Sequence, residues 1–375
     1  MIGEQSMLNP MHTRLCDEYG CEVPICAFAH TKDVIVAVTN AGGIGILGGV
    51  GRTPDELRSD VRWIKERVGD KPFGVDLLVP ASFVEGNRED LEELIPQGHR
   101  DFLEGLRKEN GISEGKPRHD GGTGSPNLLR DARELLEVVF EERVPIFASG
   151  LGSPAFIIEE AHAVGTRVWG LVGLPRQARR QVEAGVDVVI AQGYDSGGHS
   201  GTVGTFTLVP EVVEIAEGTD TLVLAAGGVS NGKHLAGSLA MGADGIWTGT
   251  IWLATHESET EMFLKQRIIE AKVEDAVQSR AMSGKPIRQL RSNWSDAWKQ
   301  PDSPEPLQMP LQGMLVDQTL AGIREARLED WMTTPAGQAV VGIHEIKPAA
   351  EVVYSLVEEA MEQFDRVSGE AASSH

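Results

Sequence analysis

Short apolar runs and longer amphipathic stretches alternate along most of this chain. The runs at 23–28, 43–47, 73–79, 144–149, 167–172, 186–192, 222–226 and 245–248 are rich in Val, Ile, Leu and Ala, and each reads as a buried strand. Helical stretches separate them, at 32–40, 127–142, 177–184 and 233–240 among others. The clearest helix start is Thr53, with Pro54 in the first helical position and Glu56 completing a capping box. Beyond it Leu57, Val61, Ile64 and Val68 share one face. Strands joined through helices call for a parallel sheet. Eight such units by about residue 250 predict an α/β fold of the TIM (β/α)8 barrel type. A doubly wound sheet is the rival, but it seldom supplies eight βα units in a row.

Two stretches break the rhythm. Residues 81–128 are polar and Gly-rich, include His119-Asp120-Gly121-Gly122-Thr123-Gly124, and are too long for an ordinary βα loop. They read as an insertion covering the top of the barrel. Residues 255–345 hold a polar, Trp-bearing region at 283–310 and read as a second insertion or lid. The expected organisation is a barrel over 1–254, the lid over 255–345, and a C-terminal helix and tail over 346–375.

Hydrophobic residues make up 41 % of the 375, enough for a large core, and 56 acidic against 34 basic residues leave a net charge of −22. Such a chain repels nucleic acid and anionic membrane. The expected partners are a small-molecule substrate and, as a homodimer, a second copy of the chain. Cys16, Cys21 and Cys26 are five residues apart, which fits no zinc pattern; free thiols and no metal are expected. No apolar run approaches 18 residues and no signal segment is visible, so a cytoplasmic protein is expected.

Two glycine turns bring in chemistry. The seventh strand ends in Ala225-Ala226-Gly227-Gly228-Val229, and the eighth runs through Gly242-Ala243-Asp244-Gly245-Ile246-Trp247-Thr248-Gly249-Thr250. Glycines there let backbone N–H groups approach a phosphate, and a helix start past each turn adds its positive end. In TIM barrels this pair of loops is the recurrent phosphate site. After the sixth strand comes Gln192-Gly193-Tyr194-Asp195-Ser196-Gly197-Gly198-His199-Ser200-Gly201. A histidine among glycines at a barrel mouth can serve as a base near neutral pH. The Ala41-Gly42-Gly43-Ile44-Gly45 run precedes a strand rather than following one, so it is no dinucleotide fingerprint.

Together these pieces resemble the nitronate monooxygenase (2-nitropropane dioxygenase-like) family of FMN barrels. Asn40-Ala41-Gly42-Gly43-Ile44-Gly45 and Thr334-Pro335-Ala336-Gly337-Gln338 match as well. The resemblance implies FMN as cofactor and His199 as the base that removes a proton next to an electron-withdrawing group. It implies that Gln192, Gly197 and Gly198 line the flavin ring and ribityl chain. Gly227, Gly228, Gly249 and Thr250 would hold the phosphate, and Asp76 stands where the family often has Asn. Three departures fall near the expected flavin face. Ala27-Phe28-Ala29-His30 replaces a Pro-Met pair, Asp76 replaces Asn, and Ser200 replaces a frequent Arg. These departures resemble a subgroup of flavin-dependent dehydrogenases or enoyl reductases acting on a CoA thioester, such as an intermediate of steroid ring degradation. His30 and Ser200 then become candidate substrate contacts, with a polar helix start as the plainer reading of His30. Lys285, Arg288 and Arg291 form a basic cluster that suits either a CoA phosphate or a surface patch. A phosphate-compound-binding barrel without flavin is the reading from another class.

Overall fold

The computed structural model describes residues 9–79, 88–116 and 128–369. Eight parallel strands close a barrel: β1 (Ile25–Ala29), β2 (Ile44–Gly48), β3 (Phe73–Leu78), β4 (Ile146–Gly150), β5 (Arg167–Val172), β6 (Val188–Gln192), β8 (Leu222–Ala226) and β9 (Gly245–Thr248), with β9 returning to β1. The two-residue β7 (Gly198–His199) stands apart, in an antiparallel sheet with β10 (Ala276–Ser279) and β11 (Ile287–Leu290). The TIM-barrel expectation holds, and the eight expected strands all lie in the barrel.

Side chains on a strand alternate between faces. One set fills the barrel: Cys26, Ile44, Ile46, Ile146, Ala148, Trp169, Val188, Ile190, Leu222, Leu224 and Trp247 form a single cluster. The other set packs on the surrounding helices. In the first of these, Thr53 accepts from the Glu56 N–H and Glu56 accepts from the Thr53 N–H, closing the expected capping box. Such a cap is worth about 1 kcal/mol. Leu57, Val61, Ile64 and Val68 of that helix (Pro54–Val68) are buried.

A short helix (Arg14–Tyr19) closes the N-terminal end of the barrel. Its Tyr19 hydroxyl accepts from Trp169 Nε1 at 2.8 Å, with the rings edge-on at 5.2 Å. Trp169, Trp247 and Phe28 then form an aromatic column up the interior, Phe28 stacking on Trp247 at 5.8 Å. The three cysteines are free and buried beside this column.

The structure adds elements the sequence pattern did not reveal. A helix (Thr205–Ala216) follows the loop after β6, burying Leu208, Val209, Val212 and Ala216 despite an internal Pro210. The described part of the first insertion is not simply polar loop. It carries helices Arg88–Glu93 and Gln97–Asn110, and Gly115 meets the backbone of Ala321 and Gly322 in the helix Leu311–Glu325 of the second insertion. Trp294, Trp298 and Leu103 share the cluster that joins these insertions, so the indoles pack there as internal core. His119 and Asp120 lie outside the described residues.

The last helix (Ala349–Ser368) packs on the helix Gly232–Ala240 that follows β8, and Glu359 accepts from the Gly232 N–H at 2.8 Å. Among the described residues no helix is long and apolar enough to cross a membrane, and no group of three or more His, Cys, Asp or Glu could hold a metal.

Candidate active site at the C-terminal end of the barrel

β8 and β9 are hydrogen-bonded neighbours, with Ala226 opposite Trp247. Adjacent strands run about 5 Å apart. Their end turns are therefore side by side, which places Gly227 and Gly228 beside Gly249 and Thr250. Gly227 and Gly228 have φ of 101° and 75°, in the left-handed region open to glycine. After them Asn231 caps the helix Gly232–Ala240 by accepting from the His234 N–H. The second turn differs from expectation, since only a three-residue 3-10 turn (Thr250–Trp252) follows Gly249. The helix-end field at this mouth thus comes from the β8 side.

The loop after β6 folds onto both turns. Asp195 accepts from the Thr205 N–H at 2.9 Å, pinning the start of the next helix. A Cβ on Gly227 would lie 2.7 Å from Thr205 Oγ1 and 3.1 Å from Ser196 N, so the loop can sit against the turn only because that side chain is missing. Gly337 completes the assembly. Its N–H donates to Thr250 Oγ1 at 2.9 Å, and the same nitrogen lies 2.7 Å from the Cβ position of Gly197. Gly197, Gly227, Thr250 and the 334–338 segment therefore converge at one point. Ser196 is 7 % exposed and its hydroxyl has no partner among the described residues.

His199 leaves this loop as half of β7, paired with Ile287. Its Nδ1 lies 3.2 Å from the carbonyl of Pro286. A carbonyl only accepts, so Nδ1 carries the proton and Nε2 holds the free lone pair in the neutral ring. Nε2 is shielded from solvent and has no partner among the described residues. Burial lowers the pKa of His199 to about 4, with the nearby Lys285 ammonium adding to the effect. The imidazole is thus an unprotonated base throughout the neutral range. Ser200, on the opposite side of the strand, accepts from Gln278 Nε2 at 3.1 Å, so its hydroxyl is already engaged with the second insertion.

Asp76 belongs to the inward-facing set of β3, in register with Gly48 and Ala148. It is 5 % exposed, and Oδ2 has no partner among the described residues. Burial raises its pKa well above the ordinary carboxylate value. Burial therefore favours its protonated form, which can donate a hydrogen bond. Gln192 ends β6 opposite Ala226, in the same inward layer.

His30 follows β1, its Nδ1 3.3 Å from the carbonyl of Gly48 and its ring edge-on to Phe28 at 5.2 Å. The residue is exposed, yet surrounding protein still lowers its pKa, as expected for a ring on the wall of a recess. Phe28 in turn lies 3.6 Å from the Cβ position of Gly249. Asp76, Gly48, His30, Phe28 and Gly249 thus form a continuous arc. Arg52, which the sequence did not single out, braces it by donating to the carbonyls of Gly48 and His30, both at 2.5 Å, and to Asp60 at 2.9 Å.

The basic cluster does not assemble. Arg288 is buried, donating to the carbonyls of Tyr194 and Ala276 and stacking on the Tyr194 ring at 4.4 Å. Arg291 pairs with Asp296 at 2.9 Å. Only Arg288 lies on β11, where backbone carbonyls take up its guanidinium, while Arg291 lies past the strand end beside Asp296.

Paired glycine turns, a buried acid, an unpartnered hydroxyl and a poised imidazole ring one barrel mouth. The orphaned Asp76 Oδ2 and Ser196 Oγ are what a phosphate-tailed heterocycle with polar edges would satisfy, and at Gly198 a Cβ would meet nothing within 4 Å, so there is open space beside the loop. Fold and site together define a flavin-dependent oxidoreductase. The chain belongs to the nitronate monooxygenase family, whose family model matches residues 20–359. It is 40 % identical, over 96 % of this chain and 99 % of the relative, to a Mycobacterium tuberculosis protein whose name assigns it provisionally as a monooxygenase. A second protein of that organism, a 5-hydroxy-7a-methyl-1-oxo-octahydro-indene-4-carboxyl-CoA dehydrogenase, is 28 % identical over 75 % of this chain and 67 % of its own length. The crystal structure of nitroalkane oxidase from Streptomyces ansochromogenes superposes with a TM-score of 0.78 at 26 % identity, covering 94 % of this chain and 99 % of that one.

Proposed function

We propose that this protein is an FMN-dependent oxidoreductase that removes a proton from carbon next to an electron-withdrawing group, with a nitroalkane as the proton-bearing substrate and its nitronate as the species oxidised. The observation that carries the reading is the fixed tautomer of His199: Nδ1–H is tied to the Pro286 carbonyl, and Nε2 is left free in a dry setting.

In this reading Gly227, Gly228, Gly249 and Thr250 hold the FMN phosphate, helped by the Ser196 hydroxyl. Gln192, Gly197 and Gly198 line the ring and ribityl chain. Asp76, neutral through burial, donates a hydrogen bond to the polar edge of the ring. Bound flavin supplies the redox chemistry, taking up the electrons that leave the substrate. His199 Nε2 takes the proton from the substrate carbon. Burial and Lys285 disfavour the resulting imidazolium, so the proton passes on readily to water or product. His30 flanks the substrate, whereas Ser200 is held by Gln278 on the other face of the sheet, and the second insertion, through β10 and β11, limits the substrate's size. No nucleic-acid or membrane partner fits the net charge of −22.

Purified protein should be yellow, and His199→Asn should keep FMN but lose most turnover. Full activity in that variant would remove His199 from the mechanism. A second reading, a dehydrogenase of a CoA thioester, is favoured by the likeness to the indene-carboxyl-CoA enzyme. Anaerobic flavin reduction by propionate 3-nitronate, set against a steroid-derived acyl-CoA, separates the two.

A further inference from the structure

The antiparallel sheet that carries His199 has two unlike faces. Directly paired residues share a face, as do residues two apart on one strand. Arg288 and Gln278 are paired and so lie on one side. There the polar groups are engaged, Arg288 with the carbonyls of Tyr194 and Ala276, and Gln278 with Ser200. His199 pairs with Ile287, and Gln289 pairs with Val277, which puts His199, Ile287 and Gln289 together on the other side.

On that side Ser279 accepts from the Ala281 N–H, but two side chains keep unsatisfied polar atoms. Gln289 is 0 % exposed, and both its Nε2 and its Oε1 lack a hydrogen-bond partner among the described residues, as does His199 Nε2. Leaving a buried amide unpaired costs stability, and an apolar residue of the same shape would avoid that cost. The main chain of Gln289 is not the reason for its presence, because that is occupied in the bridge to Pro335. Diagonal neighbours on one sheet face sit about 7–8 Å apart. An imidazole and an amide on that spacing can reach adjacent atoms of one small molecule.

We propose that Gln289 is a further substrate-binding residue of the His199 site. Its side-chain Nε2–H donates to the oxygen of the electron-withdrawing group, while the imidazole meets the neighbouring carbon. This rests on the function proposed above and deepens it: the substrate presents a carbon acid and an acceptor oxygen to the same sheet face. The sequence gives no sign of this pairing, since 90 residues separate the two side chains in the chain.

The test uses FMN-loaded protein and 2-methyl-2-nitropropane, a nitroalkane with no α-proton, as a non-turnover probe, followed by the change in visible flavin absorbance, with propionate 3-nitronate for kinetics. Gln289→Leu should raise the probe Kd and the nitronate KM about tenfold, the loss of one hydrogen bond, with FMN affinity unchanged. Wild-type probe affinity in a folded Gln289→Leu protein overturns the proposal, and a fall in its urea midpoint with probe affinity unchanged would mark the amide as structural. If that variant does not fold, Gln289→Glu decides, since a carboxylate facing an anionic or polarised oxygen should weaken the probe further; unchanged affinity there overturns the proposal too. A wild-type protein that takes up FMN but neither binds the probe nor reacts with the nitronate would instead defeat the proposed function itself.

Discussion

The depressed basicity of His199 has consequences that can be measured in two independent ways. Its pKa falls from 6.5 to about 4. That is about 2.5 pH units, or about 3.4 kcal/mol at about 1.36 kcal/mol per unit, taken as an upper figure for a half-buried ring. The neutral form is the one the fold accommodates. Stability is therefore full above pH 6.5, where folded and unfolded chains both hold a neutral ring. It declines as pH falls from 6.5 towards 4, because only the unfolded chain takes up the proton. His199→Asn abolishes this dependence. Urea unfolding of wild type and variant at half-unit steps from pH 4 to pH 8 should give curves whose difference changes by up to about 3.4 kcal/mol across the acid half and is flat above pH 6.5. In kinetics, the acid limb of kcat/KM should lie near pH 4 rather than pH 6.5. Lys285→Ala should move it upward, since that ammonium opposes protonation. Parallel unfolding curves, together with an acid limb at pH 6.5, would refute the claim that Pro286 and the surrounding protein hold a dry, neutral base.

Asp76 gives the opposite sign. With its folded pKa raised, stability of the FMN-free protein is greatest at low pH and declines as pH rises through the ordinary carboxylate range towards the folded value. Asp76→Asn should flatten that decline, which has a slope of up to about 1.4 kcal/mol per pH unit, in thermal melts compared across pH 4 to 8. Gly337→Val should weaken FMN binding at least tenfold by equilibrium dialysis, because any Cβ there meets Gly197 N at 2.6 Å. Gly227→Ala should do likewise, with an apo-protein stability loss of about 1–3 kcal/mol in urea from its φ of 101° and the clash with Thr205. Arg52→Met should leave FMN affinity near wild type yet raise the substrate KM, since it loosens the carbonyls of His30 and Gly48.

The barrel was legible because its signals are local. Runs of β-branched residues, the Thr53–Glu56 box and the paired glycine turns each declare themselves within a few positions. The helix Thr205–Ala216 was hidden by Pro210, which ordinarily breaks such a segment. β10 and β11 are four residues each and include Gln278, Arg288 and Gln289, so neither shows strand alternation. Only their mutual pairing, and the pairing with β7, makes them strands. The site divides the same way. His199 and the glycines were visible from composition and spacing. Its tautomer was not, because Pro286 lies 87 residues away. The basic cluster misled for the converse reason, as closeness in sequence does not say which partners each side chain finds: Arg288 turns into the protein and Arg291 pairs with Asp296.

The contact of Gly337 with Gly197 and Thr250 also sets a timetable. A nascent chain can wind all eight barrel strands long before residue 337 is made, yet the loop that carries His199 then lacks its brace. At about 5–20 residues per second, a ribosome needs about 20–75 s to finish a chain of this length. Under the proposed function, cofactor loading would wait for the end of translation, because the His199 loop lacks its contact with Gly337 until then.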